Sequence, residues 1–320
     1  MQLTGQLSRP RLVKLLGLFC SFSALLQTAS LLAQPTIDSA GAALIQSLDK
    51  SSTWTLLAAT PLGFNTFHPQ GMVKVNDHFF LSSVETIESP APISDSKATY
   101  DRTPGIGQGH LFKFTANGQL VDHIILGEGA QYHPGGIDFD GQSLWVSVAQ
   151  YRPDSKSIVY RVDPDTMTST EVLRFDDHLG AIVRDTDTGS LHGVSWGSRK
   201  LYSWQQHAAG DGFSEATMTL NPSHYIDYQD CQYVLISKML CSGLSSYRGG
   251  SGTVFKLGGI DLIDLISMGP IFQLPVTITT ASGALLTQNP FFAELTGSGP
   301  LIFYFLPDDN HSVLYQYSVR

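Results

Sequence analysis

Three stretches of the chain begin alike: His68 in "HPQGMVKVNDHFFLS", His133 in "HPGGIDFDGQSLWVS" and His178 in "HLGAIVRDTDTGSLHGVS". Imidazole serves as a hydrogen-bonding group toward a bound ligand and as a ligand for zinc, copper or iron. Three imidazoles at matching positions suit any of these roles, and equally the bracing of a turn. A second repeat accompanies them. "VAQYR", "SWGSR" and "LSSYR" place Arg152, Arg199 and Arg248 beside Tyr151, Trp196 and Tyr247. An arginine fork next to an aromatic ring can grip a carbonyl, enolate or carboxylate, or simply end a strand in solvent. Gln70, Glu85, Gln229, Asp230 and Glu294 complete the polar candidates.

The elements that carry these residues are strands. Four-stranded units run from Gly71 to Gly127, to Phe175 and to Leu220, with turns at Asn76-Asp77, Asp140-Gly141 and Thr188-Gly189. A fourth unit follows, and a fifth stops one strand short. The strand-like "WTLLAATPLG" (Trp54 to Gly63) can supply the missing strand. Four-stranded units repeating along a chain signal an all-β propeller, closed here by the N-terminal strand so that no sheet edge stays open. Five blades are expected, or six if Ser267 to Leu286 hides a small one. A two-sheet sandwich or barrel is the alternative architecture. In a propeller the first strand of each blade lines a central channel. His68, His133 and His178 should therefore meet at one mouth, with Gln229 or Asp230 completing the ring.

Composition agrees with this. The chain has 320 residues, 42% hydrophobic and 15% charged, with 30 glycines and 16 prolines. A net charge of −9 gives no electrostatic footprint for nucleic acid or an anionic membrane. Residues 1–33 read as a cleaved signal peptide: Arg9, Arg11 and Lys14 precede an uncharged stretch from Leu15 to Ala33. An uncleaved signal anchor is the other reading. Residues 34–52 form an N-terminal segment and residues 53–320 a single propeller domain. The protein is expected in the secretory pathway or outside the cell, free of membrane once the signal is removed.

Cys20 leaves with the signal. Cys231 and Cys241 flank a tight turn at Ser237-Lys238, and an oxidising compartment would let them form a disulfide across the hairpin; buried free thiols are the alternative. Asn310-His311-Ser312 is a glycosylation sequon in a predicted turn. The chain has no Gly-x-Ser-x-Gly elbow, no His-Glu-x-x-His and no phosphate-binding loop. The expected cofactor is none, with calcium or zinc in the central channel as the alternative.

In outline the repeat plan resembles the gluconolactonase and strictosidine-synthase-like propellers. The calcium ring of the lactonases uses Glu, Asn and Asp, whereas the matching positions here are His68, His133 and His178, so calcium is not carried over. From "FHPQGM" through "YHPGGIDFDGQSLWVSVAQYRP" and "LHGVSWGSRKLYSW" to "DYQDCQYV", the chain resembles secreted fungal and bacterial propellers, a group extending to the fungal hetero-Diels–Alderases of tropolone–sesquiterpenoid pathways. That resemblance implies a cofactor-independent cyclase joining a quinone methide to a terpene, and small hydrophobic natural products as partners. A cycloaddition needs two reactants held in near-attack geometry and donors on the heterodiene carbonyl. The blade argument assigns catalysis to His68, His133, His178 and Arg152. The other readings are a metal-dependent lactonase and a non-catalytic binding protein.

Overall fold

The computed structural model describes residues 1–2, 37–210, 212–295 and 299–320; the expected signal peptide falls almost wholly outside them. Among the described residues the structure is all-β apart from one short helix and two single-turn 3-10 segments. Strand β1 (Trp54–Pro61) comes first and belongs to the last sheet. The first meander is β2 (His68–Val75), β3 (His78–Glu88), β4 (Ile106–Thr115) and β5 (Leu120–Leu126). The second is β6 (Gln131–Phe139), β7 (Leu144–Gln150), β8 (Ser157–Val162) and β9 (Ser169–Phe175). The third is β10 (Leu179–Arg184), β11 (Leu191–Ser195), β12 (Lys200–Trp204) and β13 (Thr217–Leu220), joined to the second by a single parallel pairing of Ala181 with Gly136. The fourth is β14 (Asp227–Val234), β15 (Lys238–Arg248), β16 (Val254–Asp264) and β17 (Gly269–Pro275). The fifth is β18 (Phe291–Leu295), β19 (Leu301–Phe305) and β20 (Val313–Val319), with β1 antiparallel to β20 as its outer strand. Residues 267–286 hold β17 and a turn, not a sixth meander.

Burial falls from the first strand of each meander to the last. β6 and β7 are buried along almost their whole length, whereas β5 and β13 are largely exposed. First strands are covered on both faces because they face each other. Two carboxylates hold them together. Asp230 on β14 accepts the backbone N–H of Met72 on β2 at 2.9 Å and of Phe291 on β18 at 3.3 Å through Oδ2. Its Oδ1 takes Ile137 of β6 at 3.1 Å and its own neighbour Cys231 at 3.0 Å. Asp138 on β6 likewise accepts from Arg184 of β10 and Tyr233 of β14.

Such close approach explains the glycines in these strands. A Cβ on Gly71 would lie 2.5 Å from the Ile137 nitrogen, and one on Gly136 would lie 2.6 Å from Asp230 Oδ1. Only a residue without a side chain fits there.

Within residues 34–52 the chain forms a helix not foreseen from sequence, α1 (Ser39–Ser47), capped by Asp38 accepting from Gly41 N–H at 2.9 Å. It buries Ile45 with Ile37 and Leu48 among Val234, Leu240, Phe291 and Phe303. Cys231 and Cys241 stand directly opposite on β14 and β15 and form a disulfide, with Cα atoms 4.1 Å apart. Among the described residues, no helix is long and apolar enough to cross a membrane.

Candidate functional site

A cavity of about 240 Å³ opens where the first strands begin. His68, His133 and His178 line it together, as their shared position at the strand starts predicts. Gln70, Tyr151, Trp196 and Gln229 line it too. Local irregularity aims several of these groups. Pairing between first and second strands slips at Pro69/Gly71, at Leu179/Ala181 and at Tyr228/Asp230, so Gln70, Gly180 and Gln229 are the extra residues of β-bulges. A bulge redirects side chains at the end of a strand, and all three extra residues face the cavity.

The three imidazoles are not equivalent. His68 follows Phe67, whose φ of 53° puts it in the left-handed region; the Phe67 carbonyl accepts Asn310 N–H at 2.6 Å. Its Nδ1 lies 2.9 Å from Asp309 Oδ1, which also accepts Asn289 Nδ2–H at 3.0 Å. Burial pushes the Asp309 carboxyl upward, but the bonds from His68 and Asn289 prevail and hold it below the usual carboxylate value. Asp309 therefore stays charged and fixes the orientation of His68.

His178 is buried, and burial pushes its pKa down to about 4. Its Nδ1 lies 2.9 Å from the Gln150 carbonyl oxygen. A carbonyl can only accept, so Nδ1 carries the proton and Nε2 keeps its lone pair in the neutral ring. His133 is buried as well, and burial, then His178 and His68, hold its pKa well below the ordinary value. Its ring lies 4.1 Å from that of Tyr151, and its Nδ1 has no hydrogen-bond partner. Trp196 meets His178 edge-on at 4.8 Å and Tyr151 at 5.9 Å, closing an aromatic wall.

Several expected site residues lie elsewhere. Asp230 sits between the first strands with both oxygens taken by backbone N–H groups, and Asp227, at the start of β14, lines the cavity instead. Burial pushes the Asp227 carboxyl up, with Arg199 and His224 pulling it back. Arg199 lies behind the wall, bound to the carbonyls of Gly197 and Ser223 and 3.4 Å from Asp227. Arg152 donates twice to Gln150 Oε1 and once to the Arg102 carbonyl, with its guanidinium 3.5 Å from the Tyr100 ring centroid, so it holds a loop rather than a ligand. Arg248 is exposed at the end of β15, and Tyr247 stacks on Phe255 and donates to the Tyr225 carbonyl. Glu85 pairs with His110 at 3.4 Å, and Glu294 pairs with Lys74 at 2.8 Å and accepts from Tyr304. Asn310, the sequon asparagine, is exposed in the turn beside Asp309, while Ser312 is buried.

Sequence reasoning missed Asp309 and Asp227, and the loop of residues 89–105 that carries Tyr100 and Arg102. Asp227 had a usable signal, since it opens β14 as His68 opens β2.

Among the described residues, no three His, Cys, Asp or Glu are grouped to hold an ion. His178 Nδ1 and Asp309 are committed to the partners named above.

The chain belongs to the family of unknown function DUF6454. That family model matches residues 23–319. No curated protein matches the chain. A luciferin-regenerating enzyme superposes with a TM-score of 0.46 at 9% identity, over 82% of this chain and 95% of that one. The mannose phosphorylase MPT-4 of Leishmania mexicana gives 0.44 at 13% identity, over 82% and 88%. Kuenenia stuttgartiensis hydrazine synthase gives 0.38 at 11%, over 77% and 57%. Similarity at this level speaks to neither substrate nor mechanism.

Proposed function

We propose that the five meanders are the blades of a propeller and that the cavity at their first strands is the active site of a secreted enzyme. The enzyme moves a proton on a small, polar carbonyl compound. One observation carries this reading: three imidazoles share one mouth, yet only His68 is braced by a carboxylate, while burial keeps His133 and His178 neutral. Environments that separate like groups in this way assign acid–base roles. His68 is the general base and returns the proton as the acid, and Asp309 stabilises its charged form. Tyr151, Gln70 and Gln229 offer donors for the oxygen that gains charge.

A cycloaddition would use the same donors on a heterodiene carbonyl. A cavity of about 240 Å³ is smaller than pockets that enclose a single drug-sized ligand, roughly 300–1,000 Å³, and it would have to hold a quinone methide and a macrocyclic terpene together. Proton transfer on one small substrate fits the space better. The Cys231–Cys241 disulfide supports an oxidising compartment and hence the secretory pathway.

Proton NMR in deuterated buffer, on a panel of small ketones, 2-oxo acids and lactones, tests the reading. The expected result is solvent exchange at the carbon beside the carbonyl that is unaffected by a chelator and is lost in His68→Gln with an unchanged melting temperature. Equal rates for the variant and the native protein would overturn it.

A further inference from the structure

Residues 89–105 leave the first meander between β3 and β4 and lie against Tyr132, Arg152 and Trp196. They form a small hairpin, with Ile93 N–H donating to the Asp101 carbonyl and Thr103 N–H to that of Ala91, both at 2.8 Å. Three contacts fix this hairpin over the second meander. Tyr132 donates to the Pro104 carbonyl at 2.6 Å. The Arg152 guanidinium lies over the Tyr100 ring and donates to the Arg102 carbonyl at 3.2 Å. Arg152 is in turn held by Gln150 Oε1, and the main-chain carbonyl of Gln150 holds His178. The loop and the imidazole of the site are thus tied to one residue.

This arrangement carries the Arg102 guanidinium to 5.5 Å from the ring centroid of Trp196, on the aromatic wall of the cavity. Its anion is its neighbour Asp101, which accepts from Nε at 3.0 Å and from Nη2 at 2.7 Å, with both side chains exposed. Water reaches both partners, so the guanidinium can exchange that carboxylate for the matching carboxylate of a ligand. Arg152 and Arg199 cannot, because carbonyls and side chains already occupy their forks. At the mouth Asp309 is held by His68 and Asn289, and Asp227 lies 3.4 Å from Arg199. An added anion would therefore compete with Asp101 for the Arg102 fork.

We infer that the cavity is built for a small carboxylate, whose anionic end takes the Arg102 fork over Trp196 while its carbonyl end faces the imidazoles. This rests on the cavity being the site proposed above, and it names the substrate class. The fork of arginine matches a carboxylate in two parallel bonds. Arg102 is then a specificity-determining residue supplied by a loop of the first meander to a wall built by the third.

Calorimetric titration of the native protein with pyruvate and with pyruvamide, which share a shape and differ in charge, tests this directly. Pyruvate should bind at least tenfold more tightly. Arg102→Gln should erase the difference, Arg102→Lys should restore part of it, and Asp101→Asn should tighten pyruvate by releasing the fork. Equal binding of the two probes, a preference that survives in Arg102→Gln, or no binding of either at tens of millimolar would overturn the inference. The His68→Gln variant separates the two proposals. It should keep the preference for pyruvate whether or not it retains turnover, so a failure of proton transfer is read from its rate alone.

Discussion

Asp309 Oδ1 lies 2.9 Å from His68 Nδ1, although 241 positions separate them in the chain. The bond joins the turn after β19 to the first residue of β2, and the second bond from Asn289 leaves the carboxylate little freedom. Asp309→Asn keeps an acceptor at that point and removes the charge that favours an imidazolium. Turnover of any compound the enzyme processes should fall at least a hundredfold, the usual size of a general acid–base contribution. Stability should hardly change, because the pair is half-exposed and such pairs contribute about 0–1 kcal/mol. A rate measurement beside a thermal melt decides it; parallel losses in both would make Asp309 a structural residue only.

Asp230 makes a different prediction. Its two oxygens accept four backbone N–H groups from β2, β6, β14 and β18. In Asp230→Asn one oxygen becomes an amide NH2 that faces N–H donors. A buried donor left without an acceptor costs about 1–3 kcal/mol, and two are affected on one side or the other. Denaturant unfolding should show a loss on the order of 3 kcal/mol or more. A variant as stable as the native protein would mean that packing alone holds the first strands together.

Much of this was legible before the structure. The repeated run of apolar strand, tight turn and apolar strand marks the meanders because each first strand is buried on both faces and each turn is exposed. His68 opens β2, His133 is the third residue of β6 and His178 precedes β10, and these near-equivalent positions made the convergence of the three readable. Asp309 was not readable in this way. It sits in a connector, and its place beside His68 depends on the last meander meeting the first, where β1 pairs with β20 and Lys74 with Glu294. Arg152, Arg199 and Arg248 share a motif but not an environment. They stand at or just past the ends of second strands, where the following connector decides where a side chain goes. The bulges that aim Gln70 and Gln229 leave no pattern stronger than a local break in alternation.

Buried neutral histidines set the acid limb of stability. Burial lowers His178 and His192 to about 4, from an ordinary value of 6.5, and places His133 well below it. As pH falls below 6.5 the unfolded chain binds protons that the folded chain refuses. Each of these groups therefore withdraws stability between about 6.5 and its folded value, by up to about 1.4 kcal/mol per pH unit. Asp138, raised to about 7 by burial, and Asp261, raised to about 6, act in the opposite sense, because the folded state takes up their protons first. His192 isolates one contribution, since it lies away from the cavity and neither ring nitrogen has a partner. Urea unfolding at pH 7 and pH 5 should show His192→Leu losing less stability on acidification than the native protein. An unchanged difference between the two pH values would show that His192 titrates normally in the fold.

Arg152 was expected to act on substrate, and its contacts assign it to the loop of residues 89–105 instead. Arg152→Ala removes the stack on Tyr100 and the bond to the Arg102 carbonyl, and it frees Gln150 Oε1. The hairpin then keeps only Tyr132 as a fixed point on the second meander. Local opening of an exposed loop follows from the loss of its anchors without global unfolding. Limited trypsin digestion should therefore cut the variant faster at Lys97 or Arg102, while its melting temperature stays within a few degrees of native. His178 should keep its Nδ1 proton, because its bond runs to the main-chain carbonyl of Gln150 rather than to the side chain. Unchanged cleavage at Lys97 would show that the hairpin is held by its own hydrogen bonds, and Arg152 would lose its role.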